Sequence, residues 1–337
     1  MTPATASRPT SSPASSRNTP DAQREPVLVA LKPYDGCDAA LAMAQWLATD
    51  QERPLHALTV IEPNEMVAVA AGVPVLSEHY QAEERAAIAE LLVDRVARVP
   101  GPRGPSRRVD VLDGPAAHTV ADVAHERGAH AVVVGTGRHG ALGRLVYGER
   151  AVQIARLTDR PVVVVPPNAT AGPAREAIVA VDFSPASQRA ARFALEILAD
   201  GARLTLVHVK SAVNLSEEGA GWWEDAYERR TVDLFRRFAA SLRPERGITL
   251  ATAMLPGDVA PTLVAYAREH GVDLIACGGR RHSFIERMLL GSVSTELIRR
   301  ATCTVLVMPD HGAEGLEELM PAVGGVSRAG TRTPGPG

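Results

Sequence analysis

Residues 255–309 read LPGDVAPTLVAYAREHGVDLIACGGRRHSFIERMLLGSVSTELIRRATCTVLVMP, and residues 112–166 read LDGPAAHTVADVAHERGAHAVVVGTGRHGALGRLVYGERAVQIARLTDRPVVVVP. Slid against itself by 143 residues, the chain superimposes these stretches without a gap. Identical pairs include Gly114/Gly257, Thr119/Thr262, Gly128/Gly271, Gly135/Gly278, Arg138/Arg281, His139/His282, Gly148/Gly291 and Arg156/Arg299. A register with matching glycines over that length marks an internal duplication of a unit of about 140 residues.

Each unit alternates short β-branched runs with longer helical patterns. In the second, Ala177–Val181, Leu204–Val209, Ile248–Met254, Asp273–Cys277 and Thr304–Met308 read as strands. Between them Pro185–Ala199, Trp222–Leu242, Val259–His270 and Val293–Arg300 carry apolar residues at helical spacing. The first unit offers Val27–Leu31, Leu55–Val60, Ser106–Val111, Ala131–Val134 and Pro161–Val165 as strands. Such alternation predicts an α/β protein: two tandem doubly wound, Rossmann-like domains, each a five-stranded parallel sheet with helices on both faces. Ser184 before Pro185 predicts a capped helix start. Gly128, Gly201 and Gly271 are expected as helix stops.

Around this core, residues 1–25 and 311–337 are rich in Ser, Thr, Pro, Ala and Gly and are expected to be disordered tails. The domains are placed at 26–167 and 175–310, with 168–174 as a linker. Of 337 residues, 45% are hydrophobic and 22% charged, which suits packed soluble domains. A net charge of −3 argues against broad binding to nucleic-acid backbones. No apolar run reaches the roughly 18 residues of a membrane helix. Met1–Arg24 lacks the apolar stretch of a secretory leader. The three cysteines, Cys37, Cys277 and Cys303, lack disulfide-frame or zinc spacing and read as reduced thiols. A cytoplasmic location is expected, with no membrane or nucleic-acid partner.

In an open parallel sheet, ligands sit beyond the carboxyl ends of the strands, where the strand order reverses. One loop of the second unit there is Val181-Asp182-Phe183-Ser184-Pro185. The other is Gly278-Gly279-Arg280-Arg281-His282, followed after eight residues by Gly291-Ser292-Val293-Ser294 at a helix start. Glycines admit a close backbone approach, free N–H groups point outward, and serine hydroxyls add donors, which together suit a phosphate. The same residues also suit a plain helix cap with a turn before it.

The element order, the Asp182 loop and the segment Gly278-x2-Arg281-x9-Gly291-Ser292 resemble the universal stress protein family, over 26–167 and 175–309. Its nucleotide-binding members carry G-x2-G-x9-G-(S/T) and an Asp after the first strand; here the spacing is kept, with Arg281 in place of the second glycine. The resemblance implies strand order 3-2-1-4-5 and pairing of the domains through their last strands, with a homodimer as a further assembly. It places Asp182 and Val209 at the adenosine end of a site, and Gly278, Gly291, Ser292, Val293 and Ser294 around the phosphates. Arg281 either pairs with a phosphate or fills its space. ATP, with or without Mg2+, is the implied ligand, in the C-terminal domain only.

The first unit reads Gly135-x2-Arg138-x9-Gly148-Glu149, with Lys32 where Asp182 stands. Glu149 would repel a triphosphate, so this copy is expected to be degenerate. His208 reads as an ordinary strand residue, and Trp222 and Trp223 as a helix start covering the sheet. Arg229, Arg230, Arg236 and Arg237 read as a solvated helix face. No nucleophile–base constellation stands out, so no enzyme is expected beyond feeble ATP hydrolysis. Two readings stay open: a cytosolic stress-response module binding ATP in its C-terminal domain and acting through unknown protein partners, and a nucleotide-free interaction module of the same fold. An adenylating enzyme, a third class, would need a catalytic base near the phosphates, and none is evident.

Overall fold

The computed structural model describes residues 24–32, 38–62, 78–99, 107–136, 148–170, 172–210, 217–279 and 290–310, with backbone alone at 78–81, 84 and 217–225. Arg281, His139, His282 and Cys37 lie outside the described residues, as do the side chains of Trp222 and Trp223 and the tails up to residue 23 and beyond 310.

The first half runs β1 (Val27–Ala30), α1 (Asp38–Asp50), β2 (Leu55–Ile61), α2 (Glu78–Arg98), β3 (Arg107–Asp113), α3 (Ala116–Glu126), β4 (Ala131–Gly135), α4 (Glu149–Leu157) and β5 (Val162–Val165). The second runs β6 (Ala174–Ala180), α5 (Pro185–Ile197), β7 (Leu198–Lys210), α6 (Glu217–Ser241), β8 (Thr249–Pro256), α7 (Val259–Glu269), β9 (Leu274–Gly278), α8 (Ser292–Arg300) and β10 (Thr304–Met308). Strand pairing within each half is parallel, in the order 3-2-1-4-5. The halves join where β5 pairs antiparallel with β10, so one ten-stranded sheet runs through both. All four residues of β5 and all five of β10 are buried. Each strand thereby covers the other's edge and its unpaired backbone groups.

Alternate residues of each strand feed two cores. Val27 and Val29 face the layer of α1, α2, α5 and α6, while Leu28 faces α3, α4, α7 and α8. Both faces are apolar, as parallel sheets require. Ser184 caps α5 by accepting from the Ser187 N–H at 3.2 Å, with Pro185 at the first helical position. Gly271 closes α7 at φ +61: Val272 N–H reaches the Ala267 carbonyl at 2.9 Å, as a glycine-terminated helix does.

Three local expectations need correction. α5 stops at Ile197, because Leu198 already has extended backbone and enters β7; Gly201 instead lies within β7, with φ 71, and donates its N–H to the Arg246 carbonyl. The linker ends before Ala174, the first residue of β6, and Ala169 packs on the core. The N-terminal tail ends before Arg24, whose guanidinium donates to the Glu52 carbonyl at 2.6 Å, while Arg53 reaches the Glu25 carbonyl at 3.2 Å.

Candidate functional site

In the second half the strand order reverses between β6 and β9, the place where an open parallel sheet offers a crevice. A cavity of about 300 Å³ lies at that end. Its walls are Val181 and Asp182 after β6, Val207 to Val209 on β7, Cys277 and Gly278 on β9, and Gly291 to Ser294 at the start of α8. Seven of the eight residues singled out in the sequence thus meet around one cavity: Asp182, Val209, Gly278, Gly291, Ser292, Val293 and Ser294. Arg281, the eighth, falls outside the described residues.

The Asp182 wall is fixed by its own loop. Ser184 donates to Asp182 Oδ1 twice, from its N–H at 3.0 Å and its hydroxyl at 2.5 Å. Between them Phe183 adopts φ 62, a left-handed backbone that costs a bulky residue about 1–2 kcal/mol. Its ring repays that locally by packing on His208 at 5.1 Å, Phe235 at 5.3 Å and Phe238 at 6.2 Å.

His208 is more than an ordinary strand residue. Its Nδ1–H donates to the Val181 carbonyl at 2.7 Å, since a carbonyl can only accept. Its Nε2 meets the Tyr227 hydroxyl on α6 at 2.6 Å. One side chain thus ties the end of β6, the Asp182 loop and α6 together. Thr59 makes the first of these links in the first half, donating to the Leu31 carbonyl at 2.9 Å. The recurrence of a polar residue at this strand position in both halves is the signal that could have revealed the anchor.

The α8 wall carries the polar chemistry. Gly291 is the N-cap, with φ −58 and ψ 150, and no side-chain cap closes the helix. Ser292 is therefore the first helical residue rather than a cap. The N–H groups of Ser292, Val293 and Ser294 have no acceptor within the helix and form the positive end of its dipole. The Ser294 hydroxyl, expected to face a phosphate, instead donates inward to the Gly291 carbonyl at 3.0 Å. Its contribution is the backbone N–H.

Gly278 has a packing task besides its place on the cavity wall. A Cβ there would stand 2.9 Å from the Ala186 Cβ and 3.1 Å from the Ser187 N. The glycine therefore permits close packing of β9 on the start of α5. Beside it, burial, with a smaller push from Asp182, raises the Cys277 thiol to about 12. Cys277 is an inert wall and no nucleophile.

In the first half the matching helix start carries charged side chains of its own. Glu149 begins α4 and accepts from Arg299 of the other half at 2.7 Å. Arg150, the next residue, is paired with Glu62. Glu62 also accepts from the Ala116 N–H, at the start of α3, at 3.3 Å. Glu149 is thus not the bare charge expected, because Arg299 neutralises it. A carboxylate from the chain itself nevertheless serves the end of α3.

The sequence profile of the universal stress protein family matches residues 23–166 and again residues 174–309. The chain belongs to the universal stress protein family. It is a tandem member, one family unit in each half of the joint sheet. It is similar to a universal stress protein of Methanocaldococcus jannaschii, 30% identical over 141 residues that make up 40% of this chain and 81% of that one. A universal stress protein of Mycolicibacterium smegmatis is 28% identical over 185 residues, 54% of this chain and 62% of that one. The fold alone is shared with the crystal structure of a universal stress protein from Archaeoglobus fulgidus, at TM-score 0.56 and 16% identity, covering 84% of this chain and 96% of the other.

Proposed function

We propose that the C-terminal half binds an adenine nucleotide, ATP, and that the protein is a cytoplasmic stress-response module acting through protein partners, with at most feeble hydrolysis. The observation that carries this reading is the convergence of Asp182, Val209, Gly278 and Gly291–Ser294 on one cavity. Its composition fits such a ligand. Val181, Val207 and Val209 offer apolar surface to a base, and Asp182 a carboxylate to a ribose hydroxyl. At the far end the uncapped start of α8 suits phosphate. Among the described residues no three His, Cys, Asp or Glu side chains cluster to hold a metal. Mg2+ would therefore arrive on the nucleotide, as it does where phosphates supply its ligands.

A second reading, a nucleotide-free interaction module, draws support from the Ser294 hydroxyl, which is committed to Gly291. Titration calorimetry of the full chain with ATP separates the two. The expected stoichiometry is one nucleotide per chain, abolished by Gly291→Val with the circular dichroism spectrum unchanged. A stoichiometry of zero favours the second reading. Two would contradict the assignment to one half. No helix among the described residues is long and apolar enough to cross a membrane.

A further inference from the structure

The antiparallel pairing of β5 with β10 is centred on Val163 opposite Leu306. These positions are 143 residues apart, which is the repeat offset. The flanking pairs, Val164 with Val305 and Val162 with Val307, exchange with each other under the same offset. A local two-fold axis therefore relates the halves. A contact between the halves has a counterpart in which each residue is replaced by its repeat mate.

One such contact is the pair between Arg299, in the last turn of α8, and Glu149, the first residue of α4, at 2.7 Å. The two helices lie against each other, and a Cβ at Gly148 would stand 3.3 Å from the Ile298 carbonyl oxygen. The repeat mate of Arg299 is Arg156, and that of Glu149 is Ser292. On that axis the counterpart of the Arg299–Glu149 pair would bring Arg156, in the last turn of α4, towards Ser292 at the start of α8. In the first half this arrangement is an arginine with a carboxylate. In the second the arginine is kept and the carboxylate is replaced by a serine.

Arg156 has no hydrogen bond or ion pair among the described residues, and its Nε is shielded from solvent without an acceptor. Arg156 is half-buried, and its shielded Nε–H lacks an acceptor that the chain does not supply from the repeat position. The start of α8 lines the cavity. We propose that Arg156, from the first half, contacts the terminal phosphate of a nucleoside di- or triphosphate held in the second half. The site would then be shared: the second half holds the nucleoside, and the first supplies the cation at the far end of the phosphate chain. This rests on the nucleotide reading above.

The test uses the full chain and two independent readouts. In calorimetry, Arg156→Gln should weaken ATP by about tenfold to a hundredfold, the worth of a charge-assisted hydrogen bond, and leave AMP unchanged. Arg156→Lys should recover part of the loss. Equal ATP affinity in the unaltered and Gln proteins overturns the proposal while leaving the nucleotide site standing. No binding by the unaltered chain overturns both. Without nucleotide, Ser292→Glu restores the first half's pairing. It should raise the thermal midpoint by about 1–2 °C more in the Arg156 protein than in Arg156→Gln. No difference between those backgrounds overturns the juxtaposition itself.

Discussion

The carboxylate of Glu149 accepts a hydrogen bond from Arg299 at 2.7 Å, tying the first residue of α4 to the last turn of α8. The pair crosses between the halves and closes the N-terminus of α4 with the chain's own charges. Arg150 and Glu62 add a second pair beside it.

Removing Glu149 should therefore not open a second nucleotide site. In Glu149→Ser, Arg150 and Glu62 remain in place, and Lys32 still stands where Asp182 would be needed. Both ends of the lost pair are about a third to a half exposed, so stability should fall by less than about 1 kcal/mol. Calorimetric stoichiometry checks the first expectation and urea unfolding the second. A second equivalent of ATP bound by this variant would show that the one carboxylate closes the first half.

Gly278 lies on the cavity wall, yet its missing side chain serves packing. A methyl group would press on the Ala186 Cβ and on backbone atoms of Ala186 and Ser187, none of which is the free end of a long side chain. Gly278→Ala should cost about 1–3 kcal/mol, as overpacking does. Urea unfolding should show a lower midpoint with an unchanged slope. Loss of nucleotide affinity at full stability would return Gly278 to a binding role.

The duplication was legible in the sequence because it rests on long-range repetition, whereas the strand order and the joining edge came from the resemblance to the universal stress protein family. Gly114/Gly257 and Gly128/Gly271 recur where the backbone repeats with positive φ, and a run such as Val162–Val165 needs cover on both faces. The gathering of Asp182 and Gly291–Ser294 followed from topology, since β6 and β9 are neighbours where the strand order reverses and a crevice opens beyond their carboxyl ends. What stayed hidden depends on direction rather than position. Nothing in the sequence tells whether the Ser294 hydroxyl turns inward to Gly291 or outward to a ligand. Nor does it tell that His208 spans Val181 and Tyr227, or that Glu149 finds Arg299. The end of α5 was misplaced because Leu198 and Ala199 suit helix and strand alike, and pairing of β7 with β6 decided between them.

His208 joins two elements through its two nitrogens, so its loss should be felt at the site and in stability together. His208→Leu keeps apolar bulk beside Phe183 but leaves the Val181 carbonyl and the Tyr227 hydroxyl without this partner. The expected cost is about 1–3 kcal/mol, the penalty for a buried polar group left unpaired. If the anchor sets the Asp182 loop, His208→Asn, which keeps a donor, should retain more nucleotide affinity than His208→Leu. Equal affinities in the two variants would mean that the loop holds its shape without the anchor.

The last prediction concerns pH and lies far from the cavity. His56 on β2 is 2% exposed and its Nε2 faces the Asp110 carboxylate on β3 at 3.0 Å. Burial lowers its pKa below 6.5, outweighing the pull of Asp110, and Arg108 and Arg127 push the same way. The folded chain thus favours the neutral ring, with the proton on Nε2, while the unfolded chain takes up a second proton near pH 6.5. The unfolded state binds more protons in that window, so stability should be full above pH 6.5 and fall as the pH drops from there towards the folded value. One proton limits the slope to about 1.4 kcal/mol per pH unit. Asp110 works in a separate, more acidic window. Burial alone would raise its pKa, but hydrogen bonding to Arg108 and the charges of His56 and Arg108 together lower it below 3.8, so its contribution is lost only in stronger acid. Urea unfolding of the unaltered protein and of His56→Gln between pH 5 and 8 separates the two. The variant should lose stability overall but show a flatter profile between pH 5 and 6.5. An unaltered slope there would assign the dependence to another group.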